Sequence, residues 1–182
     1  MSDSYRVRRA RPEDVPRLPS VEREAATLYR GHADTLGLTP EALERTNTVE
    51  DFRRAQRTDL LWVATTAADG PVGFALLCRL DQWLHLDELD VLPEHGRRGV
   101  GSALLQRVCE WAAEDGFPGV TLSTFRDVPW NAPFYERRGF EVIPPEALTP
   151  DLKRLVKRER QRGLRTDLRV VMRFHVNPGE QK

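Results

Sequence analysis

Between residues 83 and 105 an apolar strand candidate, WLHLDELDV, runs through a glycine-bearing stretch, PEHGRRGVGSALL, into a helical pattern. A strand that hands over to a helix in this way must bury both elements against a common core, so the unit restricts the fold more than any other feature. Val100, Leu104, Val108, Trp111 and Ala112 recur at helical spacing and predict an amphipathic helix over 99–114. Gly116-Phe117-Pro118-Gly119 ends it, and GVTLSTF (119–125) follows as a strand, which makes the helix a crossover. The first amides of a helix have no partner inside it, and together with the helix dipole they favour negative charge. Glycines let the backbone approach a phosphate closely. The stretch is not a phosphate loop of the GxxxxGK[ST] kind, and Leu104 stands where a dinucleotide fingerprint has its third glycine.

The flanking segments place this unit in a larger sheet. Tyr5 to Ala10 reads as a short strand, and Pro12-Glu13-Asp14 suits the first turn of a helix running to about Arg30. Residues 31–58 read as broken helix with N-caps at Thr39 and Thr48. LLWVA (60–64) and PVGFALLCRL (71–80) are strands around a hairpin turn at Asp69-Gly70. After strand 119–125 come a short helix (131–139), a strand (140–143), a helix capped by Thr149 and a last strand (168–174). This order predicts an α/β (α+β) fold: a mixed, mostly antiparallel central sheet of about seven strands flanked by helices. With 182 residues and 40% hydrophobic content, residues 1–182 are expected to form a single domain.

The 28 basic and 28 acidic residues cancel, so no global field argues for nucleic acid or an anionic membrane surface. The basic run 153–165 alternates with Leu152, Leu155 and Val156 and reads as the solvated face of a helix. No apolar run approaches the ~20 residues of a membrane span, and the start lacks the apolar region of a secretory signal. A cytoplasmic protein, monomer or homodimer, is the expectation. Cys78 and Cys109 lack metal-ligand spacing and read as buried thiols, so no metal is expected.

LDELDVLPEHGRRGVGSALL, followed thirty residues on by PWNAPFYERRGFEVI, resembles the acetyl-CoA-binding core of the GNAT acetyltransferases. The resemblance covers residues 60–143 most strongly. It implies acetyl-CoA as cosubstrate and a splay between strand 83–91 and its parallel neighbour 119–125. The family pattern [Q/R]xxGx[G/A] maps onto Gly96, Gly99 and Gly101, so its first position departs from the pattern. The resemblance implies a pyrophosphate cradle of backbone amides from Arg97, Arg98, Gly99, Val100, Gly101 and Ser102, with Arg97 or Arg98 standing in for the side chain that Gly96 lacks. It implies that Leu89 and Val91 pair with the pantetheine arm like an added strand, and that Asn131 and Tyr135 lie near the pantetheine and the sulfur.

The chemistry follows from these positions. An alkyl amine with a pKa near ~10.4 must lose a proton before it attacks a thioester. Strict strand alternation puts His85 and Asp87 on one face and Glu88 and Asp90 on the other. Asp87 matches the position of an acid in relatives that acetylate polyamines and is favoured as base or amine-binding group, with Glu88 beside it. Asp90 reads as solvated edge and His85 as a satisfied strand histidine. The resemblance places a backbone N–H around Leu89 to Val91 as the oxyanion donor, and Tyr135 is the expected acid for the departing thiolate. The reading is an N-acetyltransferase that transfers acetyl to a primary amine in a ternary complex. Its alternative is a non-catalytic acyl-CoA-binding or sensing module, which would need neither Tyr135 nor an acid on the strand.

Overall fold

The computed structural model describes residues 4–67 and 70–176. In chain order the elements are β1 (Arg6–Arg9), α1 (Leu18–Ala25), α2 (Ala33–Leu36), α3 (Pro40–Glu44), α4 (Val49–Arg57), β2 (Leu61–Thr66), β3 (Gly70–Leu80), β4 (Trp83–Val91), α5 (Val100–Glu114), β5 (Gly119–Phe125), α6 (Ala132–Glu136), β6 (Glu141–Val142), α7 (Pro150–Gln161) and β7 (Arg169–His175). The strands form one seven-stranded sheet in the order β1-β2-β3-β4-β5-β7-β6. Only the β4–β5 pair is parallel, as a crossover through α5 requires.

Local chemistry explains most boundaries. Thr39 and Thr48 accept hydrogen bonds from Ala42 N and Asp51 N, and Asp51 returns a bond to Thr48 N, closing a capping box. The first helix departs from expectation. Its α-geometry covers Leu18–Ala25 and then tightens to 3-10 over Ala26–His32, where the Thr27 hydroxyl bonds back to Glu24 O at 2.6 Å. The strand expected over 140–143 is reduced to Glu141–Val142. Residues 68 and 69 lie outside the described residues, and with them Asp69 of the expected hairpin turn; Gly70 has the positive φ (68°) that such a turn uses.

The core lies on both faces of the sheet. Trp62 of β2 packs on Trp111 of α5 on one side, and Phe74 of β3 packs on Phe52 of α4 on the other, with ring centroids 6.3 and 5.0 Å apart. Leu152, Leu155 and Val156 of α7 join Val171 and Ile143 in a smaller cluster, so the inward stripe expected there is present. Gly119 is required by close approach: a Cβ there would lie 1.9 Å from the Phe174 carbonyl oxygen and 2.8 Å from the Trp83 ring. Gly119→Ala is therefore expected to destabilise the protein by about 3 kcal/mol, read as a lower urea midpoint with an unchanged slope.

Two irregularities shape the site. The β4–β5 pairing covers Leu84–Val120, His85–Thr121 and Leu86–Leu122 and then stops, although both strands continue. This is the splay that the resemblance implied. At the same level β3 and β4 slip register, with Leu76 opposite Glu88 and Leu77 opposite Leu86, so Asp87 is the extra residue of a β-bulge. The bulge overturns the strict alternation expected for this strand. Phe74, Leu76 and Cys78 share a face of β3, and their partners Asp90, Glu88 and His85 therefore share a face of β4. Asp87 joins them, since it feels Glu159 and Arg158 of α7 and Arg162 just beyond it, and Arg158 acts on His85 as well. The ionisable residues of β4 thus gather on the α1/α4/α7 side, while Leu84, Leu86, Leu89 and Val91 turn toward α5.

Candidate active site

The gap between β4 and β5 opens into a cleft of about 920 Å³. One wall is the free end of β4, with Leu89, Asp90 and Val91; the floor is the β4–α5 loop and the start of α5; the far wall is Asn131 to Tyr135 with Arg137 and Arg138. Leu28 and Tyr29, beyond α1, close one end against Trp130.

The loop leaves the first amides of α5 uncapped by backbone geometry. Gly99 adopts φ 83° and is the N-cap of α5, with no side chain capping the helix. The amides of Val100, Gly101 and Ser102 therefore open toward the cleft at the positive end of a 15-residue helix. Arg97 is also left-handed (φ 58°), a conformation that costs a non-glycine residue about 1 kcal/mol. It lines the cleft, as do Gly96, Gly99, Val100, Gly101 and Ser102. Arg98 goes elsewhere, donating to the Tyr5 hydroxyl at 3.4 Å. Of the two arginines weighed as a replacement for the missing side chain, Arg97 is the one at the cleft. His95, beneath the loop, is buried and hydrogen-bonded to Tyr5 at 3.0 Å.

The far wall is locked to the cradle. Arg138 donates to Phe134 O at 2.8 Å and to Ser102 Oγ, and its guanidinium lies 3.7 Å from the Phe134 ring centroid. Asn131 is buried and paired with Tyr29, donating from Nδ2 at 2.9 Å while its Oδ1 stands 3.1 Å from the Tyr29 hydroxyl. Burial pushes the Tyr29 hydroxyl up to about 12. Tyr135 is buried among Phe134 and Phe140, and its hydroxyl is raised far above the usual phenol range, first by burial, then by Tyr29, Glu88 and Asp90. It stays protonated at every physiological pH.

Four carboxyl groups influence one another along β4 and α1: Asp87, Glu88, Asp90 and Glu22. Glu88 and Asp90 are held well above the usual carboxylate range, by burial first; Asp90, Glu22 and Asp87 add to the shift of Glu88, and Glu22 to that of Asp90. Asp87 is raised as well, by burial, with Arg158 of α7 and Arg162 at its C-cap opposing the shift. Asp87 is nonetheless an exposed residue of the strand. Neither Asp87 nor Glu88 lines the cleft directly, whereas Asp90 does. Glu22, on α1, is buried and pushed up to about 7, mainly by desolvation, although Asn47 N and Nδ2 donate to its two oxygens at 2.9 and 3.1 Å.

Asp90, read from the sequence as solvated edge, lines the cleft, and Glu22 was not singled out there. A signal for Glu22 was present: it falls in the buried stripe of Leu18, Val21 and Ala25, where an acid is out of place. His85 is the satisfied strand histidine expected, 2.9 Å from Thr121 Oγ1 and lowered to about 3 by burial. Cys78 and Cys109 lie outside this cleft, and burial pushes both thiols up to about 12, so neither is primed as a nucleophile. Among the described residues no His, Cys, Asp and Glu group could hold a metal, and no helix is long and apolar enough to cross a membrane.

The chain thus combines a mixed sheet that splays beside a single parallel pair with an uncapped helix start facing the gap. The sequence pattern of the Acetyltransferase (GNAT) family matches residues 26–140, and the chain belongs to that family. Among curated proteins it is 34% identical over 82 residues to the peptidyl-lysine N-acetyltransferase YjaB of Salmonella typhimurium, a match covering 45% of this chain and half the length of that relative. Among solved structures, the PaiA N-acetyltransferase of Thermoplasma acidophilum in complex with coenzyme A superposes with a TM-score of 0.63 at 19% identity, covering 95% of this chain and 99% of that one. The ribosomal-protein-S18-alanine N-acetyltransferase of Escherichia coli gives 0.65 at 18% identity, covering 98% and 99%. At these identities the structural likeness speaks for the fold.

Proposed function

We propose that the protein is an acetyl-CoA-dependent N-acetyltransferase that acetylates a primary amine by direct attack within a ternary complex. The observation that carries this reading is the cleft, where an open strand edge, an uncapped helix start and Tyr135 line one cavity. The amides of Arg97 to Ser102 hold the pyrophosphate, and Leu89 and Val91 take the pantetheine arm as an added strand. Asn131 positions the same arm from across the gap, after exchanging its bond to Tyr29.

The acceptor arrives as an ammonium and gives one proton to a carboxylate, directly or through water. Its nitrogen then attacks the thioester carbon, and the oxygen of the tetrahedral intermediate takes a backbone N–H from Leu89 to Val91. Collapse breaks the C–S bond, and the Tyr135 hydroxyl protonates the leaving thiolate. No acyl-enzyme is needed, in keeping with two cysteines whose thiols are raised to about 12. Asp87 was the favoured base on sequence; the surroundings of Tyr135 favour Glu88, because Glu88 and Asp90 act on that hydroxyl while Asp87 faces α7. A carboxyl raised by burial is suited to the role, since its pKa approaches the working pH.

The test is release of free CoA from acetyl-CoA over a panel of amines, with Asp87→Asn and Glu88→Gln compared on the best acceptor. Glu88→Gln is expected to lower kcat by about 10²-fold or more and to remove the acid limb of the pH–rate profile. That limb rises with pH through a pKa above the ordinary 4.5 of a glutamate. Asp87→Asn is expected to act more weakly and mainly on KM. The reverse ranking returns the base to Asp87. Acetyl-CoA binding without turnover on any amine supports the alternative of a sensing module.

A further inference from the structure

Tyr5 stands just before β1, 90 residues from His95 in sequence, yet its hydroxyl holds the β4–α5 loop at two places. It lies 3.0 Å from His95 Nδ1 and accepts a hydrogen bond from Arg98 Nη1 at 3.4 Å, so its one proton is directed to His95. The ring adds a further hold, meeting the His95 imidazole edge to face with centroids 5.7 Å apart. His95 itself is buried, and its amide donates to Leu92 O at 2.9 Å. Between the two residues that Tyr5 holds lie Gly96 and Arg97. Gly96 is extended, and its amide bonds to Pro93 O at 3.0 Å. Arg97 then turns left-handed (φ 58°), in a stretch, 96–99, that belongs to no helix or strand. A non-glycine residue keeps that conformation only where its surroundings hold it there. His95 and Arg97 both line the cleft, whereas the Arg98 side chain reaches to Tyr5.

We propose that Tyr5 is a positioning residue for the cosubstrate: by tying the residues on either side of Gly96-Arg97 to one hydroxyl, it holds Arg97 left-handed and turned to the cleft, ready for the pyrophosphate. The inference deepens the acetyltransferase reading and rests on it for the identity of the anion. A loop released from the hydroxyl spends part of its time with Arg97 in the right-handed or extended regions that an L-residue prefers. Affinity then falls in proportion to the fraction that remains competent. Glycine at 97 would escape this penalty, because without a Cβ it enters the left-handed region freely. The need for Tyr5 is therefore tied to the side chain at 97, a residue whose conformation Tyr5 governs through its neighbours.

The experiment is a double-mutant cycle on the full chain, with acetyl-CoA affinity read by calorimetry for Tyr5→Phe, Arg97→Gly and the two combined. Tyr5→Phe keeps the ring against His95 and removes the oxygen alone. It is expected to raise the acetyl-CoA Kd about tenfold, the order that the cost of a left-handed residue allows. At saturating acetyl-CoA its kcat on the best amine of the panel is expected to stay within about twofold of wild type. In the Arg97→Gly background the same change is expected to raise Kd less than about twofold, since no left-handed cost is left to hold. Backbone NMR relaxation gives a reading without ligand: the Arg97 N–H order parameter is expected to fall from about 0.85 to below about 0.6 in Tyr5→Phe, with the strands unchanged. Wild-type affinity in Tyr5→Phe, an equal loss in both backgrounds, or an unmoved Arg97 order parameter each overturns the inference. A wild type that binds no acetyl-CoA strikes the transferase reading and the assigned cosubstrate with it, even where Arg97 loosens as expected. Binding by the wild type with no effect of Tyr5→Phe strikes this inference alone.

Discussion

Tyr135→Phe is expected to lower kcat by about 10²- to 10⁴-fold while acetyl-CoA affinity stays within about twofold of wild type. The substitution removes one oxygen and leaves the ring, which packs against Phe134 and Phe140 at centroid distances of 5.1 and 5.6 Å. The fold should therefore survive, with an unchanged melting curve as the control. The size of the effect follows from when the hydroxyl acts. Burial, Tyr29 and the acids of β4 keep it protonated, so it makes a modest ground-state donor and becomes useful when negative charge develops on the sulfur. The same protonation gives a second expectation: Tyr135 adds no basic limb to the wild-type pH–rate profile below about pH 10. Single-turnover kinetics show whether chemistry limits the rate, and a Phe variant with wild-type chemistry would make Tyr135 a packing residue.

Gly101→Glu is expected to abolish acetyl-CoA binding with little change in stability. A Cβ at Gly101 would meet the Phe134 ring and the Val91 side chain at 3.8 Å, ordinary contact distances, so the backbone tolerates a side chain there. That side chain would enter the cleft between Val91 and Phe134, beside the amides of the helix start. It would fill the space of the pyrophosphate and add a like charge at the position where the helix dipole favours an anion. Gly101→Ala separates the two causes, since it adds bulk alone and should weaken binding much less. Calorimetry reads the affinity, and a thermal shift with acetyl-CoA gives an independent measure, because a ligand of the folded state raises its melting temperature. Normal binding by the Glu variant would place the cradle elsewhere.

The parts of the site that could be read from the sequence are those made by neighbours along the chain. The cradle is one: Gly99, the uncapped start of α5 and the strand before it lie within a dozen residues, and backbone geometry follows from residue type over that distance. The caps at Thr39, Thr48 and Thr149 were readable for the same reason. The splay was implied by resemblance alone, because nothing in WLHLDELDV or GVTLSTF says where their pairing stops.

The acid site belongs to the tertiary structure. One extra residue at Asp87 against β3 reverses which carboxylates share a face, and a slip of one position is invisible in a pattern whose period is two. Glu22 comes to act on Glu88 and Asp90 because α1 packs across β3 and β4, more than forty residues away in sequence. Arg98 is drawn to Tyr5 on the first segment, leaving Arg97 at the cleft, and Asn131 is paired with Tyr29 from the other end of the chain. The sequence by itself determined the order of the elements, the anion cradle and the family, because periodicity, capping and turn chemistry act over one or two turns of chain. Which acids gather, which arginine lines the cleft and how far the central strands part were decided by the tertiary structure, since burial and charge coupling depend on distances that only packing sets.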